Sequence, residues 1–173
     1  PEPIDVPITA VHRLIHSSVD EGQIIVAGNT LMTCVASEPA CLDARDGVGD
    51  IVNRWDLPAQ FIGADLGPGW FNSSSATVDI GAGTVDAAYL FWSGDLNERD
   101  VVIADDGRSG RALILPPGAD SAIEVDAQRV RLGDVDATQY LGTVDVTDIV
   151  QRFGPGEYTV GNVQSAEVQG SYA

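Results

Sequence analysis

Apolar and polar positions alternate with a period of two along much of this chain, and that rhythm predicts strands. It is clearest between Asn72 and Gly94. Ala76, Val78 and Ile80 alternate with Thr77 and Asp79, the pattern of a strand with one wet face. After the Gly81-Ala82-Gly83 break, Val85 to Trp92 is apolar at both parities apart from Asp86. Such a run, rich in aromatic and branched residues, predicts a central strand buried on both sides. Trp92, near its end, is expected in the core.

The rest of the chain extends the pattern. Gln23 to Cys34 reads as a strand interrupted at Gly28-Asn29 by a bulge or tight turn. Further strands are predicted near Gln60 to Ala64, Val101 to Ala104, Ala112 to Leu115, Ile123 to Leu132 and Leu141 to Val146. Asp105-Asp106-Gly107 and Pro116-Pro117-Gly118 supply turns between them. One helix, at about 145–153, is expected because Val146, Ile149, Val150 and Phe153 fall at i, i+3, i+4 and i+7. Asp145 or Thr147 caps its start and Gly154-Pro155 stops it. Glu157 to Gln164 then returns as a strand, with Tyr158, Val160 and Asn162 on one side and Thr159, Gly161 and Val163 on the other.

These elements predict an all-β fold: a jelly-roll-like sandwich with one short helix, forming a single domain over residues 1–173. Residues 1–20 make an N-terminal arm in which Val11, Leu14 and Ile15 form either an edge strand or a short helix. Residues 42–70 are a loop-rich insertion, broken by Asp46-Gly47, Gly49-Asp50 and Gly67-Pro68-Gly69.

Charge narrows the partners. The net charge is −17, and all nine basic residues are arginine. Nucleic acid and anionic membrane surfaces are thereby disfavoured, since phosphate recognition needs the opposite sign. The absence of lysine removes Schiff-base chemistry, a phosphate-loop lysine and any internal lysine–asparagine isopeptide bond. No apolar run approaches the roughly 20 residues of a membrane span, so no membrane insertion is expected. Pro1-Glu2-Pro3 has no basic-plus-apolar export pattern, which leaves any export signal outside this chain or already removed. The acidic excess reads either as solubility in a salt-adapted source or as a capacity for divalent cations.

Cys34 and Cys41 are the only two cysteines, with Pro39 between them favouring a turn. An even count at short spacing suggests one disulfide and an oxidising compartment, the other reading being two free buried thiols.

Candidate chemistry is sparse. His12 and His16 stand at i, i+4, a spacing one helix turn could present to a metal, but no carboxylate helper lies nearby in sequence. There is no Gly-x-Ser-x-Gly and no phosphate-binding glycine loop, and no carboxylate spacing singles out a glycosidase pair. The chain therefore reads as non-enzymatic. Calcium is the better ligand expectation, with Asp95, Asn97 and Asp100 at the end of a buried strand and Asp43, Asp46 and Asp50 as a looser group. A carbohydrate-binding, lectin-like module is the alternative, because Trp55 and Trp70 lie in loop-rich sequence where indoles can stack on sugar rings.

Three phrases carry a resemblance. Gly28-Asn29-Thr30-Leu31-Met32-Thr33-Cys34 is the first, with a second cysteine soon after. Phe71-Asn72-Ser73-Ser74-Ser75-Ala76-Thr77, a Gly-Ala-Gly turn and Ala88-Tyr89-Leu90-Phe91-Trp92-Ser93-Gly94 make the second. Asp145-Val146-Thr147-Asp148-Ile149-Val150, followed by Gly156 to Gln164, is the third. In order and spacing they resemble the N-terminal β-sandwich module of large secreted actinobacterial surface proteins of the adhesin type. That resemblance implies a secreted, cell-surface location and a role in adhesion, wall or fibre architecture. Its implied partners are other copies, downstream domains of the same protein, or cell-wall and host glycans, and it brings no catalytic residues. Two departures stand out. Asp50 to Asp56 and Gly69-Trp70-Phe71 replace an Asn-rich, then Asp-rich segment. Relatives also continue past a phrase like Gly170-Ser171-Tyr172-Ala173 into a further apolar strand, so the sandwich is expected to be seen truncated or to receive a strand from a neighbouring copy.

Overall fold

The computed structural model describes residues 16–18, 21–46, 59–63, 70–81, 83–98, 101–102, 108–132 and 139–165. In chain order these hold β1 (Met32–Cys34), α1 (Pro39–Asp46), β2 (Ala59–Phe61), β3 (Ser73–Val78), β4 (Tyr89–Asp95), β5 (Asn97–Glu98) and β6 (Val101–Val102). Then come β7 (Arg111–Leu115), β8 (Ile123–Asp126), β9 (Arg129–Leu132), β10 (Gln139–Asp145), α2 (Thr147–Phe153) and β11 (Gly156–Gly161). The fold is all-β. One antiparallel sheet has the order β3-β11-β7-β8 and the other β4-β10-β9, with β1-β2 and β5-β6 as separate two-stranded ladders.

Period-two patterning decides which side chains meet between the sheets. On β10, Tyr140, Gly142 and Val144 are buried while Gln139, Leu141 and Asp145 face water. On β7, Ala112 and Ile114 are buried and Arg111 is exposed. Trp92, Tyr140 and Val144 from one sheet join Ala112, Ile114, Val125 and Tyr158 from the other in a single apolar cluster. Trp92 sits in the core as its sequence predicts, its indole Nε1 donating to the Ser109 carbonyl at 3.0 Å. The ring lies flat over Gly142, directly opposite in register, where a β-carbon would stand 2.5 Å from Cζ2. Only glycine admits that approach.

Helix α2 closes one end of the sandwich. Val150 is buried, and Ile149 and Phe153 pack against the same cluster. Val146 is the N-cap, so the capping interaction falls one residue earlier than its usual place: Asp145 Oδ1 accepts from the Thr147 amide and from the Thr147 hydroxyl. Those hydrogen bonds, the hydroxyl's first, hold the Asp145 carboxyl below its ordinary value of 3.8. Gly154 ends the helix at positive φ and donates to the Val150 carbonyl.

Tyr158 leads from α2 back into the core. It is buried, and its phenol donates to the Gly154 carbonyl at 2.7 Å. Burial raises its pKa above the ordinary 10.0. A raised folded-state value means that the folded protein holds this proton more tightly than the unfolded chain. The resulting stability is complete below pH 10 and is lost as pH climbs through the folded value. Urea midpoints measured upward from pH 9 should fall more steeply for the native protein than for Tyr158→Phe. Parallel curves would show that Tyr158 does not contribute.

Several expectations need correction. Val85 to Trp92 is not a central strand buried on both sides: β4 starts at Tyr89 and, among the described residues, has one strand neighbour, β10. Leu90 and Trp92 face inward, and Phe91 is 52% exposed on the outer face. Val85 to Ala88 belongs to the connection from β3, where Val85 accepts from the Gln151 side chain. Ile123 to Leu132 is two strands, not one. The chain changes sheets at Ala127-Gln128, whose amides reach Gly110 and Thr143 on opposite layers. Gln23 to Leu31 forms no strand, leaving only Met32–Cys34 of that prediction. A second helix, α1, joins the one expected. Pro39 stands at its first position, where the missing amide costs nothing.

Candidate functional site

Among the described residues β3 and β4 are each the edge of a sheet, and both line one groove. A cavity of about 2120 Å³ runs inward from these two strands to the core residues Leu90, Trp92, Ile114, Val146, Tyr158 and Val160. Alternation along each edge strand puts one apolar face on this groove. Ser74, Ala76 and Val78 face inward from β3, opposite Val160, Tyr158 and Gly156 of β11.

Residues 21–32 run along the mouth of the groove. His16 Nε2 meets Asp86 Oδ2 at 2.8 Å beside the chain leading to β4. Further along, Asn29 Nδ2 donates to the Ser75 carbonyl at 3.2 Å on β3. Beyond that anchor Leu31 packs against the core and accepts from the Ile62 amide. Between the anchors residues 22–28 form an exposed strap outside every helix and strand. Ile24 is 95% and Val26 91% exposed, whereas Ile25 is 39% exposed. Exposure alternates along these three, so Ile25 turns toward the groove and its neighbours turn to water.

The β3 rim also carries buried polar atoms. Among the described residues Ser74 Oγ and Asn72 Oδ1 are buried and find no hydrogen-bond partner, although both residues line the groove. Asn72 adopts positive φ, and its amide nitrogen donates to the Val163 carbonyl. Buried polar atoms are rarely left unsatisfied, and both of these are closed off from solvent.

Of the residues singled out from sequence as candidate sites, His16 and Asp95 line the groove and the other described ones fall elsewhere. Cys34 and Cys41 form the disulfide, linking β1 to α1 and, with Ala40, making a small cluster apart from the main core. Trp70 is half-buried, its ring against Gly161, where a β-carbon would stand 2.6 Å from Cε3. Trp55 lies outside the described residues. Asp95 ends β4 half-buried and accepts from Gln139 Nε2 at 3.4 Å, Asn97 opens β5, and Asp100 lies outside the described residues. Asp43 and Asp46 are on α1, and Asp50 and His12 lie outside the described residues. Among the described residues no group of three or more His, Cys, Asp or Glu could hold a metal ion. His16 does find a carboxylate, but from Asp86, far away in sequence.

The groove and its strap were not anticipated, although one signal was present. Gly22 to Ser37 is the longest run without a charged side chain in this chain of net charge −17. No helix among the described residues is long and apolar enough to cross a membrane. No family model matches the chain, and neither a curated protein nor a solved structure matches it.

Proposed function

We propose that this chain is a non-enzymatic extracellular module of a surface protein or fibre, acting through strand-edge contacts rather than turnover. The observation that carries the reading is the lateral groove, with an apolar floor and two sheet edges as rims. That is the geometry by which folded domains take up extended peptides, with main-chain hydrogen bonds supplying affinity and side-chain pockets supplying register. The Cys34–Cys41 disulfide is compatible with an oxidising exterior. The charge of −17 keeps such a surface soluble between contacts. Antibody raised against the chain is expected to label intact cells of the source organism as strongly as permeabilised ones. Labelling that appears only after permeabilisation would overturn the reading.

A further inference from the structure

We propose that two copies of this chain exchange their straps, residues 22–28 of each entering the groove between β3 and β4 of the other. The inference rests on the strand-edge reading above and names its partner. Four observations lead to it. First, Gln23-Ile24-Ile25-Val26-Ala27 is a strand-forming sequence that the described fold leaves outside every sheet. Its Ile24 and Val26 stand almost fully in water. Second, the groove presents what such a strand needs: an apolar floor and two strands, β3 and β4, that are sheet edges among the described residues.

Third, charge selects a second copy. Most surfaces of a chain at net charge −17 repel their own kind, but the strap is uncharged, and so is the chain from Leu66 to Val78, which includes all of β3. Ala87 to Gly94 of β4 is likewise uncharged. The strap is therefore a segment that two identical acidic molecules can bring together without adding charge to a groove whose lining already includes Glu21, Asp86 and Asp95. Fourth, the strap can leave its own domain. Its upstream anchor, His16–Asp86, is a solvent-exposed pair of the kind that contributes little. Gly28 has open space around it and supplies a hinge just before the Asn29 anchor. Inside the partner's groove, Ile24 and Val26 face the floor together and the strap backbone lies along β3. Reciprocal exchange closes as a two-fold dimer, with each copy both donor and acceptor.

The test compares the full chain with the double variant Ile24→Glu, Val26→Glu. Both positions are exposed in the single copy, so the variant keeps its fold, which far-UV circular dichroism and Trp fluorescence verify. Light scattering over rising concentration should show the native chain doubling from 18.2 kDa while the variant stays at its single-copy mass. A synthetic peptide of residues 21–31 should then bind the variant and slow amide exchange along β3. A native chain that remains a single copy at every concentration overturns the proposal, including the case in which it tucks its own strap inward and protects residues 23–27. So does a dimer that persists in the double variant, or a peptide that fails to bind. These failures concern mass and binding, and leave the location of the protein, tested by surface labelling, to stand or fall separately.

Discussion

Trp92→Ala is expected to lower the unfolding free energy by about 3–5 kcal/mol, the usual cost of deleting a large core aromatic. Native domains hold only about 5–15 kcal/mol in total, so this loss endangers folding. Three consequences of the substitution add up. The indole leaves the centre of a cluster shared by both sheets, its Nε1 hydrogen bond to the Ser109 carbonyl is lost, and a space opens above Gly142. The last makes the prediction specific. In the native protein Gly142→Ala drives a methyl group into the ring and should cost about 1–3 kcal/mol by overpacking. In the Trp92→Ala background the same methyl enters vacant space and relieves the flexibility of glycine, so its cost should vanish or change sign. Urea unfolding of the two single variants and the double variant measures this coupling. Strict additivity would mean that ring and glycine are not in contact.

Removing the disulfide should have the second largest effect, and a local one. Cys34→Ala with Cys41→Ala releases a short loop in the unfolded chain, worth about 2.5 kcal/mol on loop-closure entropy. The structure says where the loss falls. Cys34 and Cys41 are buried in a cluster of their own, separate from the core between the sheets. Helix α1 is eight residues long, too short to persist alone in water, and Cys41 is its fully buried anchor. Hydrogen exchange should therefore accelerate across β1 and α1 while β10 and β11 stay protected. Uniform loss of protection would place the disulfide inside the main cooperative unit instead.

Sequence legibility followed local physics. Helix α2 was readable because its apolar residues recur at helical spacing and Gly154-Pro155 ends it. Cys34 and Cys41 were readable from their separation, and β3, β7, β10 and β11 from alternation bounded by turn residues. What failed was tertiary. Gln23 to Leu31 is rich in branched apolar residues, yet the described fold pairs it with no strand, and sequence composition carries no information about which edge a segment bonds to. Tyr89 to Trp92 is apolar at both parities, yet Phe91 lies on an outer face because, among the described residues, one layer alone covers β4. Helix α1 carries too few apolar residues to show a period and owes its burial to a covalent bond. The groove escaped for the same reason as the strap: it is a relation between β3 and β4, whose sheets are assembled by residues far downstream.

That last relation has a consequence for how the chain is made. Val78 pairs with Gly156 and Tyr89 with Asp145, so both rim strands bond to the single stretch formed by β10, α2 and β11. During synthesis from the amino end, β3 and β4 emerge long before their partners exist. Two strand-forming segments, with Asp95 their single charged residue, must wait through the intervening chain, and closing so long a loop is slow. The rim strands thus wait longest for their neighbours in the order of translation.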